Sequence, residues 1–110
     1  MKTMKKPISH IFSVDEIKTI VVPIANEYGV DRMVLFGSYA RGEATGNSDI
    51  DIYIDVEQGW GGYFKLASLQ NKLENALGSR VDLLTTGAFD SEIFENVKGD
   101  EIVLYKQRTT

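Results

Sequence analysis

Val34-Leu35-Phe36-Gly37-Ser38-Tyr39-Ala40-Arg41-Gly42-Glu43-Ala44, followed by Ser48-Asp49-Ile50-Asp51-Ile52-Tyr53-Ile54, is the stretch whose reading decides the fold. Val34 to Phe36 is β-branched and aromatic, which predicts a buried strand. The strand breaks off at Gly37, where a backbone without Cβ can approach a ligand closely. Ser38 suits the N-cap of a short helix through Ala40 and Arg41. The start of a helix beside a glycine presents unpaired N–H groups and the positive end of the helix dipole, a setting for a phosphate.

Beyond a polar loop over 42–47, the chain resumes as Asp49-Ile50-Asp51-Ile52-Tyr53-Ile54-Asp55-Val56, with isoleucines and valine at the even positions. Alternate side chains of a strand point to opposite faces, so Asp49 and Asp51 share one, their Cα atoms roughly 6.5 to 7 Å apart. Two carboxylates that close repel each other by something on the order of 1 to 2 kcal/mol. A divalent cation turns that repulsion into binding, and Mg²⁺ takes hard oxygen ligands of this kind. Asp55 shares the face but lies too far along the strand to ligate with them.

Gly37-Ser38-x-Ala40-Arg41-Gly42 with Ser48-Asp49-Ile50-Asp51 resembles the signature of the DNA polymerase β-type nucleotidyltransferase superfamily. The short chain and the Tyr39-Ala40-Arg41-Gly42-Glu43-Ala44 variant are most similar to its minimal nucleotidyltransferase (MNT-domain) branch. The resemblance runs from about Ile17 to Tyr105.

Composition sets the outer bounds. A chain of 110 residues that is 43% hydrophobic has material for a single domain with one core. No apolar run is long enough to cross a bilayer, and no apolar segment follows the lysines of the first seven residues, so the expected location is the cytoplasm. Cysteine is absent, which excludes a disulfide framework and Cys-based zinc sites. A net charge of -4 argues against direct nucleic-acid binding, which needs a basic face, but not against a nucleotide held through a metal.

Residues 1–12 read as a flexible tail and 13–106 as the domain. His10, the only histidine, has no carboxylate or cysteine near it in sequence. Ser13-Val14-Asp15-Glu16 is a capping box, and Ile17, Ile20, Val21, Ile24, Ala25 and Tyr28 follow at helical spacing up to Gly29. Pro23 inside that pattern predicts a kink or a split near Val22. Strands are expected over 31–36 and 50–56. A glycine-rich loop with Trp60 follows the second strand, and a second long helix covers 63–77 with Leu66, Leu69, Leu73 and Leu77 on one face. Trp60 and Tyr63 either stack on a base, meet a partner, or cover the sheet edge. Arg80-Val81-Asp82-Leu83-Leu84-Thr85 is a third strand in which Asp82 is costly unless paired or bound to a metal, the alternative being a surface residue of an edge strand. A short helix over 90–97 and an edge strand over 102–104 complete an α+β (α/β-like) order.

The resemblance implies more than the residues do alone: a mixed sheet, and a third carboxylate at Asp82. Asp49, Asp51 and Asp82 then form a catalytic cluster for two Mg²⁺ ions about 3.5 to 4 Å apart. Gly37, Ser38 and Arg41 bind the nucleotide, although Arg41 is equally suited to an ion pair with Glu43. Larger members carry a second domain for the acceptor, for which 110 residues leave no room, so the acceptor is expected to be another protein. MNT proteins commonly act as the antitoxin of a module whose toxin is a HEPN-domain ribonuclease, some by transferring AMP from ATP to a toxin tyrosine. The alternatives are a non-catalytic antitoxin that neutralises by binding, and a transferase for a small-molecule hydroxyl such as an aminoglycoside.

Overall fold

The computed structural model describes residues 10–88 and 99–107. Helix α1, Val14–Tyr28, begins at the expected capping box. Ser13 Oγ accepts the Glu16 N–H at 3.0 Å, while the Glu16 carboxylate accepts the Ser13 N–H at 2.8 Å. Ile17, Val21, Ile24 and Ala25 are its buried face, and the Gly29 N–H closes the C-terminus on the carbonyls of Ala25 and Asn26. The helix is not split at Pro23 but runs unbroken across it. Pro23 and Thr19 both lie on the exposed side, so water can serve the Thr19 carbonyl that loses its N–H partner. Ser13→Ala, which removes the exposed cap, is expected to cost about 1 kcal/mol. Thermal melting checks this as a fall of roughly 4 to 8 °C, and an unchanged melting temperature would mean the cap contributes nothing.

The remaining elements among the described residues are β1 (Arg32–Phe36), α2 (Gly37–Arg41), β2 (Ile50–Asp55), α3 (Gly62–Leu77), β3 (Val81–Thr85), a 3₁₀ turn (Thr86–Ala88) and β4 (Ile102–Lys106). The sheet order is β3-β2-β1-β4. β1 pairs antiparallel with both β2 and β4, whereas β2 and β3 run parallel. The sheet is therefore mixed, as the resemblance implies. A parallel pair needs a long crossover, and α3 supplies it. The expected helix over 90–97 lies outside the described residues.

Strand parity then divides the sheet into two faces. Met33, Leu35, Ile50, Ile52, Ile54, Val81, Leu83 and Leu104 pack with the buried stripes of α1 and α3, which include Leu69, Leu73 and Leu77. Tyr28 and Ser68 join the two helices through their hydroxyls at 2.6 Å. The opposite parity holds a smaller cluster of Val34, Phe36 and Tyr53, with Leu84 against it. Trp60 is held between the domain body and the glycine-rich loop. Its Nε1–H donates to the Tyr28 carbonyl at 2.7 Å, and Lys65 Nζ lies 4.7 Å from its ring centroid. Of the roles open to Trp60 and Tyr63, Trp60 takes a structural one at the end of α1. Tyr63 is 76% exposed beside Phe64.

Candidate active site

The site forms where β1 ends and β2 begins. Antiparallel register sets Phe36 opposite Asp51, so the turn that follows Phe36 lies directly beside that carboxylate. Gly37 is the tightest point. Its φ is +75°, and a Cβ built there would collide with the Asp51 carboxylate, 3.0 Å from Cγ. Only glycine combines that backbone geometry with that approach. The sequence predicts Ser38 as the N-cap of α2, but the helix starts two residues earlier than that, at Gly37. Phe36 is the N-cap and provides no side-chain bond. Because β1 stays extended through Phe36 and Gly37 makes the turn, Ser38 already lies in the first helical turn. Among the described residues, its hydroxyl makes no hydrogen bond. The first-turn N–H groups are orphaned by the geometry of any helix start, and here they lie beside Asp51.

Parallel register sets Asp82 of β3 opposite Asp51 and Val81 opposite Ile50. Asp82 is exposed, on an edge strand. The expectation that burial makes Asp82 costly is therefore wrong, because Asp82 takes the parity opposite to Val81 and Leu83, which face the helices and are buried. What ties Asp82 to the site is its register. Asp49 precedes β2 and is 46% exposed. The half-buried Asp51 feels both neighbours. Its pKa is pushed from 3.8 to about 6, first by burial and then by the charges of Asp82 and Asp49, with Arg41 opposing.

The donor set is all carboxylate oxygen with excess negative charge, which suits a hard divalent cation in kind. Among the described residues, however, no three acidic or histidine side chains are arranged as a ready metal cage. Three carboxylates repel one another, and Asp49 lies within an Nε–Oδ1 contact of 3.7 Å from Arg80. Arg41 is engaged by Glu43 at 2.9 Å and by Asp100 at 3.6 Å, the ion pair that its sequence position allowed as one of two readings. Asp55 is paired with Arg32 at 2.6 Å, at the far end of β2 from Asp49. Between these ends, Tyr53 is pushed up to about 12 by burial and by its hydrogen bond to Glu101.

Two features escape the sequence reading. Arg80 lies beside Asp49, and its signal is parity, since it stands two residues before Asp82. An apolar cleft of about 740 Å³, lined by Val56, Trp60, Tyr63, Leu66 and Thr85 among others, opens at the C-terminal ends of β2 and β3. The carboxylates sit at the other ends of those strands, so this cleft is not where the charged chemistry lies.

Residues 18–110 match the family model for polymerase beta nucleotidyltransferases. The chain belongs to this family. As a member of it, the chain is a nucleotidyltransferase. It is 36% identical over 91 residues to the protein adenylyltransferase MntA of Thermococcus cleftensis, covering 79% of this chain and 91% of that one. A solved structure assigned as a minimal nucleotidyltransferase superposes with a TM-score of 0.68 at 29% identity, covering 83% of this chain and 95% of that one. A complex of a tri-AMPylated Shewanella oneidensis HEPN toxin with its MNT antitoxin superposes with a TM-score of 0.65 at 20% identity. It covers 86% of this chain and 73% of that one, and it shows a shared fold.

Proposed function

We propose that this nucleotidyltransferase moves AMP from ATP onto a hydroxyl, a tyrosine in the first instance, of a HEPN-type toxin protein and thereby acts as its antitoxin. One observation carries the reading. The Asp51 carboxylate lies against the Gly37 backbone at the start of α2, which sets an acid directly beside a helix start that no side chain caps. The protein-adenylyltransferase relative and the likeness to an MNT antitoxin in complex with an AMPylated toxin support the choice of acceptor.

In this mechanism the N–H groups of Gly37 and Ser38 hold phosphate oxygens, and Arg41 adds positive potential beside them. Asp49, Asp51 and Asp82 would hold Mg²⁺. When bound, Mg²⁺ neutralises phosphate charge and acidifies the acceptor hydroxyl. The hydroxyl oxygen attacks the α-phosphorus in line, the bond from that phosphorus to the β-phosphate oxygen breaks, and pyrophosphate leaves. Asp82, exposed at the edge of the site, accepts the hydroxyl proton. Positioning and charge neutralisation carry most of the catalysis in such transfers.

The test is the intact mass of a co-expressed HEPN partner after incubation with ATP and Mg²⁺. Wild type is expected to add one or more AMP units, and Asp49→Asn/Asp51→Asn none. A stable complex with no added mass in either case would replace transfer by neutralisation through binding.

A further inference from the structure

The parity that carries Asp49 and Asp51 on one strand also carries a cation on the next. In the parallel pairing, Ile50 stands opposite Val81, so the position opposite Asp49 belongs to Arg80. The Arg80 carbonyl accepts the Ile50 N–H at 2.9 Å, which fixes this backbone to the start of β2. Its side chain is 86% exposed and approaches Asp49 through Nε at 3.7 Å, a long contact for a charged pair. An exposed pair of that length contributes little and is easily exchanged. The other cation near the carboxylates, Arg41, is already held by two acids.

We infer that Arg80 is a phosphate-contacting residue of the nucleotide site. It holds Asp49 when no phosphate is present and transfers its guanidinium fork to a polyphosphate oxygen when Asp49 turns to a metal. The inference rests on the transferase reading above and extends it by assigning the polyphosphate to a residue outside the Gly37-Ser38 turn. Arginine suits the exchange, since its planar fork matches phosphate in two-point contact and stays charged at every physiological pH.

Two equilibrium titrations test it without turnover. The first measures binding of a non-hydrolysable ATP analogue in the presence of Mg²⁺. Arg80→Ala is expected to weaken it about tenfold, the scale of one lost charge-assisted hydrogen bond, and Arg80→Lys to fall between the two. The second measures Mn²⁺ alone. Arg80→Ala is expected to bind it as tightly as wild type or more tightly, because Asp49 has lost a competitor. A merely structural role would weaken both together and would overturn the assignment. An analogue affinity for Arg80→Ala within twofold of wild type would also overturn it, while leaving the transferase reading intact. If wild type itself binds no analogue, the nucleotide site falls and Arg80 with it.

Discussion

Asp51→Asn is expected to inactivate the protein and, at neutral pH, to make it more stable. Transfer to the partner should fall on the order of a thousandfold, since the variant loses the carboxylate at the centre of the site. Stability moves the other way because the fold pushes this acid from 3.8 to about 6, chiefly by burial and then by Asp82 and Asp49. At 1.36 kcal/mol per unit that corresponds to about 3 kcal/mol. The side chain is only half-buried, and solvent screening reduces the figure to about 1 kcal/mol. The sign follows from linkage. A carboxyl with a raised folded-state pKa favours the protonated native state. Its contribution to stability is fully present below pH 3.8 and is lost as pH rises through about 6. Asparagine carries no charge at any pH, so the variant gains roughly 4 to 8 °C in melting temperature above pH 7 and nothing below pH 4. Melting curves across that range, in chelator, give the check. A difference independent of pH would refute the electrostatic account. A variant that gains stability as it loses function is the expected signature of an active site whose charges are kept at a cost.

Gly37→Ala carries the second large effect. At φ +75° an L-residue is strained, and its Cβ meets the Asp51 carboxylate besides. Together these should cost about 2 kcal/mol, read as a melting temperature lower by roughly 8 to 16 °C. Transfer should fall by about a hundredfold or more, because the displaced carboxylate no longer meets the turn. A double-mutant cycle separates the two causes. If the collision matters, Gly37→Ala costs less in an Asp51→Ala background than in wild type, and the coupling energy is on the order of 1 kcal/mol. Strict additivity would assign the whole penalty to backbone strain.

These effects show which properties belong to the sequence and which to its folded pairing. The local signals determine most of the elements. Ser13 and Glu16 mark the start of α1, the leucines at 66, 69, 73 and 77 mark the buried face of α3, and the alternation of isoleucine with aspartate from 49 to 55 marks β2 and its two faces. Each is a pattern within one segment, and hydrophobic period and capping chemistry act at that range. The pair Asp49 and Asp51, with Gly37 and Ser38, was legible for the same reason.

Pairing and exposure were not legible, because they depend on residues far apart in the chain. Pro23 looks like a helix breaker until the fold turns it and Thr19 toward solvent, where water serves the freed carbonyl. Asp82 looks buried among Val81, Leu83 and Leu84 until the packing of α1 and α3 covers the face of Val81 and Leu83 and leaves that of Asp82 exposed. Ser38 loses its cap because β1 pairs with β2 as far as Phe36. Only the parallel register of β2 and β3 sets Asp82 against Asp51 and Arg80 against Asp49. The sequence by itself determined which residues bear charge and how each segment presents them. Tertiary structure decided which charges meet, since Coulomb interactions, desolvation and strand register act across space, whereas capping and hydrophobic period act along the chain.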